Sequence, residues 1–458
     1  MLTRAALVGA ATVRERGLRL SSGAITLQLL VIMVPVLFGL MGFALDLGRL
    51  YLIRGELNQA ANTMALAAAQ QLLGTAASLG NATAATANSV DPSTTTANAY
   101  NFGAIVVGQN SGNLTSTVNP PAFFATMADV VASASGSASQ ADGTTAHYVQ
   151  VSVQADAPLL FFSLLPGGQS QKTTVAAQAV AGISTPLCVA CNIEPFAIAN
   201  QDTTGTDTTH FGLIPGQLYT FNFSCNGGTQ PAPSAGMLPL PYLILNRYDT
   251  NNGNLDETQQ LFRDFAGGLV ASTTLNNSNV PYSCVSISDP TETFWLSAPP
   301  GTCALSAGNS VIEALCGLQT RQDNTDPNGV CANLVSDWSN LSSLYQPDVL
   351  DLTGGQTDYT TYSGNGRRIF NVAVVDVLAA STTGTMTVLG FRQFLLEPAP
   401  ADGVTPINPA NPNGQFVAMY IDVTQAQAPV KSGWVDDRFQ TSCPVPVASG
   451  PGKVVLHQ

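Results

Sequence analysis

The chain has 458 residues, of which only 10% are charged, and its 29 Asp and Glu outnumber its 16 Lys and Arg to leave a net charge of −13. Phosphate backbones are bound by clustered cations that release counterions, so this balance excludes nucleic acid as a partner. The length allows two or three domains and a sizeable core.

Charge is unevenly placed along the chain. Residues 1–23 hold Arg4, Arg14, Arg16 and Arg19 against Glu15 alone, so the remainder carries more than the whole net negative charge. Residues 24–45 then have no charged side chain over 22 positions. As a helix they would extend about 33 Å, enough to cross a hydrocarbon core of roughly 30 Å. Thr26, Gln28, Pro35, Gly39 and Gly42 are compatible with a span, because a lipid-buried helix satisfies its own backbone and small residues allow close helix contacts. Arg19 and Asp46 with Arg49 bracket the segment, and the positive-inside rule places residues 1–23 in the cytoplasm and the acidic remainder outside. Small residues at 64–69 also fit a signal-peptide cleavage site, but about 20 residues bearing Asp46, Arg49, Arg54 and Glu56 intervene. The length and flanks therefore favour an anchor.

Helical rhythm continues past the charged boundary. Leu50, Ile53, Leu57, Ala60, Met64 and Ala67 recur at intervals of three and four, one stripe on a helix that Gly74 ends. The periodicity fits a stalk helix packed on its own domain and equally a helix packed on partner helices. Asp46 and Arg49 can pair across one turn.

Residues 75–145 are dominated by Ala, Thr, Ser, Asn and Gly and read as loop with short strands or as partly disordered chain. In "HYVQVSVQADA", Val149, Val151 and Val153 alternate with Gln150, Ser152 and Gln154, the pattern of a half-buried strand. "PLLFFSLLPGG" ends in a turn signal and "KTTVAAQAVAGIS" reads as a second strand, giving a hairpin-like unit to pack on the long helix. From residue 185 onward Pro and Gly punctuate short strands such as "QLYTFNFSC", "LPYLILN", "RIFNVAVVDV", "MTVLGFRQFLL" and "QFVAMYIDV", with helical patterning limited to "SVIEALCGLQTRQ". Eight cysteines, Cys188, Cys191, Cys225, Cys284, Cys303, Cys316, Cys331 and Cys443, all follow the span. An even number in an exported region reads as disulfides, with the connectivity open.

The segment "GAITLQLLVIMVPVLFGLMGFALDLGRLYLIRGELNQAANTMALAAA" resembles the N-terminal module of the Tad (tight-adherence, Flp) pilus-assembly family, the TadG-like branch. The resemblance is carried by Ala44, Leu45, Asp46, Gly48 and Arg49 at the end of the span, then Leu57, Asn58, Gln59, Ala60 and Ala61 in the Ala-rich helix. The strand pair "YVQVSVQADAPLLFFSLLPGGQSQKTTVAAQAVAG" is similar to one that follows in such proteins. More weakly, "GNSVIEALCGLQTRQDNTD", "GRRIFNVAVVDV" and "VLGFRQFLLEP" resemble C-terminal segments. The resemblance implies a membrane-anchored protein on the periplasmic side of a bacterial inner membrane, serving pilus biogenesis or adherence beside other pilus-assembly or pilin proteins. It implies no chemistry. Two departures bear on details. Prepilin-like processing after Gly23 would call for Glu at position 28, where Gln28 stands, and the nearest string to a von Willebrand A metal site, "DPSTT" at 91–95, ends in Thr with no apolar strand before it.

Candidate chemistry is sparse. "CVAC" at Cys188 and Cys191 follows Pro186 and precedes "NIEPF", closer to a turn between strands than to the helix N-terminus that activates a redox thiol, and so reads as structural. A zinc site would need further ligands, and the histidines are only His147, His210 and His457. "DTNNGNLDE" at 249–257 places Gly253 and its Glu out of step with a calcium loop and reads as an Asn-Gly turn; "DNTDPNG" at 323–329 is treated alike. Neither a nucleophile elbow nor a phosphate-cradling loop is present in the sequence. "GRR" at 366–368 reads as a cation pair blunting a strand edge.

The expected fold is α+β: residues 1–23 a basic cytoplasmic segment, 24–45 a transmembrane helix, 46–183 a pilin-like helix with a low-complexity insert and strand pair, and 184–458 a mainly-β, disulfide-containing periplasmic domain. The expected protein is a non-enzymatic pilus-assembly component without cofactor or metal, its homo-oligomeric state open. Alternatives are a minor pilin or tip adhesin and, from another class, an anchored thiol oxidoreductase or hydrolase.

Overall fold

The structure is a computed structural model that describes residues 9–89, 116–134, 140–159, 161, 172–191, 194–224, 233, 236–246, 267, 284–287, 295–296, 310–322, 329–334, 346–349, 358–378, 386–397, 414–424, 428–429 and 449–457, the first 17 of these by backbone alone. Helix and strand are both present. In chain order the helices are α1 (Gly9–Ala69), α2 (Ser78–Asn88), α3 (Met127–Ser133), α4 (Ser310–Gln322) and α5 (Val330–Leu334). The strands are β1 (Ser116–Val118), β2 (Ala122–Phe124), β3 (Tyr148–Pro158), β4 (Lys172–Ile183), β5 (Val189–Cys191), β6 (Phe196–Ala199), β7 (Leu218–Phe223), β8 (Leu238–Asn246), β9 (Cys284–Ser286), β10 (Trp295–Leu296), β11 (Ile369–Val375), β12 (Val388–Leu396), β13 (Phe416–Tyr420) and β14 (Val454–His457). The chain divides into two compact units, one of residues 1–61, 100–119 and 152–178, the other of residues 62–99, 120–151 and 179–458.

In the first unit α1 runs without interruption through Pro35. Its large apolar side chains from Leu27 to Leu47 are exposed around the whole circumference. The helix is long and apolar enough to cross a membrane. Here β1 pairs antiparallel with β3, Val118 opposite Val153, and Asn119 donates from its main chain and its side chain to Ser152. The alternation read in β3 is observed: Val151, Val153, Ala155 and Ala157 are buried, whereas Ser152, Gln154 and Asp156 are partly exposed.

The low-complexity stretch holds the short strands that were expected, β1 in the first unit and β2 in the second, but the second unit also has α2 and α3 there, and in α2 the high helix propensity of Ala takes the place of a large apolar face. Thr126 caps α3 in a capping box, its Oγ1 accepting from the Asp129 N–H at 3.2 Å while the Asp129 carboxylate accepts from the Thr126 N–H. The string at 91–95 lies outside the described residues.

The second unit is dominated by a closed ring of six strands. Around it run β8, β6, β11, β12, β13 and β7, which returns to β8, with β10 added outside β8. Closure leaves no free edge within the ring. The β6–β11 and β7–β8 pairs are parallel and the other ring pairs antiparallel. The period of two sorts the side chains: Phe370, Phe394, Phe416 and Tyr420 join one apolar cluster, whereas Ile369, Leu395, Met419 and Ile421 join another. Phe196, Phe221, Tyr242, Phe370, Phe394 and Phe416 pack ring against ring, with Phe221 stacked on Phe416 at 4.6 Å between centroids. Tyr242 Oη donates to the carbonyl oxygen of Gly414 at 2.7 Å, so the one phenol in this set is satisfied. A small barrel filled in this way is a packed core.

Helix α4, read directly from "SVIEALCGLQTRQ", is buried on every side from Val311 to Gln322 and adds Val311, Ala314, Leu315 and Leu318 to the aromatic cluster. Its Cys316 is bonded to Cys331 of α5, which joins two helices where one was expected. The expectation for "GRR" is corrected. Arg368 is fully buried and leads into β11, an interior strand between β6 and β12; it pairs with Asp348 at 3.5 Å and lies over the Tyr362 ring at 5.2 Å.

Candidate functional site

The stripe begins at the foot of the apolar segment. Ile53, Leu57, Ala60 and Met64 have no accessible surface, and Leu50 and Ala67 are half-buried. On the other side of the same turns Tyr51 is 78% exposed and Leu52 64% exposed. A helix that is apolar all round over residues 27–47 thus becomes amphipathic just past Asp46, with two large side chains left outward.

Asp46 itself is only 4% exposed. A carboxylate in an apolar setting needs hydrogen-bond donors, and one of its oxygens accepts from the main-chain N–H of Phe161 at 2.9 Å. Phe161 follows β3 in the chain, and its ring rests on Gly42, one helical turn before Asp46. A Cβ at position 42 would come within 2.6 Å of the ring, so only glycine permits the approach. Arg49 is half-buried on the next turn. The side chain of Arg19 lies outside the described residues.

At its other end α1 unwinds through shortened hydrogen bonds, Gln71 to Ala68 and Leu72 to Ala69, and Gly74 takes the left-handed conformation at φ 75°. The Ser78 Oγ accepts from the N–H groups of Leu73 and Thr75 at 3.1 and 3.0 Å. Within the second unit this turn is held by a single 3-10 turn, Tyr359–Thr361: Ala76 N–H donates to the Thr360 carbonyl at 2.9 Å and Tyr359 Oη donates to the Leu73 carbonyl. Leu73 packs there with Ile369, Leu395, Met419 and Ile421.

The remaining chemistry-bearing side chains serve the architecture. Arg321 of α4 donates to Glu194 at 2.8 Å and to the carbonyls of Arg367 and Ile369 at 3.0 and 2.8 Å, while the other Glu194 oxygen accepts from Asn371 at 3.1 Å. Arg392 donates to the carbonyls of Thr208 and Thr209 and stacks on Phe211 at 4.3 Å, and burial depresses its pKa. The loop it grips is tied by Asp202 and Asp207, whose carboxylates accept several loop N–H groups; hydrogen bonds from Thr204 and the main chain hold Asp202 down to about 2. The three histidines are spread apart in role: His147 has its pKa lowered by burial, His210 Nδ1 is 3.2 Å from Tyr420 Oη, and His457 meets the Tyr148 ring edge-on. Among the described residues no three His, Cys, Asp or Glu side chains converge as metal ligands.

Cys188 precedes and Cys191 ends a strand, β5, rather than opening a helix, and Cys188 is disulfide-bonded. Cys191 faces Cys284 across the antiparallel β5–β9 pair. The side chains of Cys191 and Cys284, together with Cys225, Cys303 and Cys443, lie outside the described residues, as do the strings at 249–257 and 323–328.

The family model for Flp pilus-assembly TadE/G-like proteins, named Tad, matches residues 23–71. Over these residues the chain is similar to that family. The match begins just before the apolar stretch and ends just past α1, so the matched segment comprises the exposed apolar helix, Asp46, Arg49 and the buried stripe. No curated protein and no solved structure matches the chain. Sequence reasoning found the module's helix and its charged boundary but missed the Gly42–Phe161 approach, the Asp46 bond and the Tyr359 clamp. A glycine at the outer end of an apolar span and an uncharged hairpin turn are the signals that pointed to the first.

Proposed function

We propose that the protein is a non-enzymatic, single-pass component of Flp-type pilus assembly or surface adherence, held in the bacterial inner membrane by residues 24–45. The observation that carries the reading is that the Tad match falls on a helix whose first part is exposed and apolar on all sides and whose later part buries Ile53, Leu57, Ala60 and Met64. An isolated helix of that surface is stable in lipid, where every backbone group is bonded internally. The arginines before the span argue for a cytoplasmic N-terminus. The Cys316–Cys331 bond argues for an oxidising compartment, the periplasm, around a mainly-β part built on the closed ring.

Docking to other pilus components falls to the outward face just past the boundary. The stripe itself is covered, whereas Tyr51 and Leu52 present large apolar surface next to the membrane, the kind of patch that marks an interaction site. Photocrosslinking in cells from positions 51 and 52 is expected to capture a pilin or pilus-assembly protein, with positions 53 and 57 giving only internal products. Adducts absent from 51 and 52 in piliated cells would reject the docking role. A mature N-terminus at Ala24 would instead favour a minor pilin or tip adhesin released into the filament.

A further inference from the structure

We propose that Phe161, which follows β3, is a second lipid-contacting element, seated among the acyl chains of the leaflet that faces the bulk of the protein. The inference rests on the reading of residues 24–45 as a membrane span and adds a contact that the span alone does not supply.

Depth comes first. Gly42 lies four residues inside Asp46, about 6 Å further along the helix axis at 1.5 Å per residue. The Phe161 ring touches Gly42, so this side chain reaches past the charged boundary to the level of uninterrupted apolar sequence. Polarity comes next. A residue that enters hydrocarbon must satisfy its main-chain donor without water, and the Phe161 N–H is bonded to the Asp46 carboxylate at 2.9 Å. The nearly buried carboxylate and the Phe161 N–H each answer the other's need.

Surface completes the argument. Phe161 remains 40% exposed although it is packed on Gly42. Phe38 and Leu45, which share the Gly42 face at helical spacings of four and three, are exposed as well, so the aromatic surface continues the lipid-facing surface of the span. In the sequence residues 157–171 carry no charge, and Asp156 and Lys172 bound them on either side. Aromatic side chains concentrate at this depth because they are favourable at the boundary between headgroups and acyl chains.

The test uses the full chain reconstituted into phosphatidylethanolamine–phosphatidylglycerol vesicles in which part of the lipid is brominated on the upper acyl chain. Phe161→Trp and Phe43→Trp are each compared with the parent chain and its three native tryptophans. The proposal expects both added tryptophans to lose most of their emission to the bromines. Quenching of Phe43→Trp with an unquenched Phe161→Trp would overturn the proposal and leave the span standing; quenching of neither would remove the span reading and the proposal with it. A benzophenone amino acid at position 161 in cells gives an independent readout that tolerates a perturbed ring. A phospholipid adduct is expected, and adducts with another polypeptide alone would overturn the proposal in favour of a protein partner on that face.

Discussion

Tyr359 donates its hydroxyl hydrogen to the main-chain carbonyl oxygen of Leu73, 286 residues earlier in the chain. The bond fixes the turn that follows α1 within the unit that contains the closed ring, at a point where α1 has already unwound and its last carbonyls lack intrahelical donors. Burial pushes the Tyr359 phenol far above its usual range, so the donor stays protonated at any pH the fold survives. Replacing Tyr359 by Phe leaves a buried carbonyl without this partner, at a cost of about 1–3 kcal/mol. Hydrogen exchange of the amides between Leu72 and Ser78 should accelerate in detergent-solubilised Tyr359→Phe protein, while exchange in the ring strands stays slow. Equal protection in variant and parent would show that the clamp contributes nothing.

Arg321 and Glu194 are both almost wholly buried, and Arg321 also satisfies two carbonyls that precede and open β11. Breaking a buried pair from one side strands a charge, a cost of about 3–5 kcal/mol, whereas neutralising both sides is cheaper. Arg321→Met should therefore lower the urea midpoint more than the double variant with Glu194→Gln, despite the latter's additional substitution. A double variant that is less stable than Arg321→Met would mean that the pair is not coupled in the way its 2.8 Å separation indicates.

How much of this was readable beforehand depends on the range of the interaction. Local signals reached helix and strand: the 22 uncharged residues and the three-four stripe lie in α1, the β3 alternation in a strand and the α4 string in a helix, because periodicity and propensity act within a few residues. In the low-complexity stretch composition misled, since sequence short of large apolar side chains still forms α2, which is rich in Ala, and α3, which Thr126 caps. Ring closure through the parallel β7–β8 pair, the burial of Arg368 and the meeting of Phe161 with Gly42 all join residues far apart in sequence. A one-dimensional pattern holds no record of such partners. For the same reason a run of two arginines looked like an exposed edge when one of them was destined for the interior.

The Cys316–Cys331 bond closes a 15-residue separation between α4 and α5 and sits in a small cluster with Ile312 and Val330. Cross-linking a loop of this size removes unfolded-state entropy worth about 3 kcal/mol in the chain-entropy account. The double change Cys316→Ser, Cys331→Ser should lower the melting temperature of the oxidised protein while α4, held also by Arg321 and by the bond from Gln322 to the Glu397 carbonyl at 2.9 Å, keeps its helical signal below the transition. Loss of helical signal without heating would show that the disulfide, rather than packing, positions α4. An unchanged melting temperature would show that the bond adds no stability.

His147 supplies a pH dependence whose sign follows from its surroundings. It stands at the entry to β3, where its N–H donates to the Phe124 carbonyl and its own carbonyl accepts from Ile183, and burial lowers its side-chain pKa from 6.5. Burial disfavours the charged imidazolium, so the folded state binds a proton less readily than the unfolded chain. Stability contributed by the neutral ring is present above pH 6.5 and is lost as the pH falls below it, because the unfolded chain then gains a proton that the folded one resists. His147→Gln removes the titration. The stability difference between parent and variant should therefore shift in favour of His147→Gln as the pH is lowered from 8 through 6.5 to 5, read as the gap between their urea midpoints. A gap that stays constant over that range, or moves in favour of the parent, would show that burial does not control this imidazole.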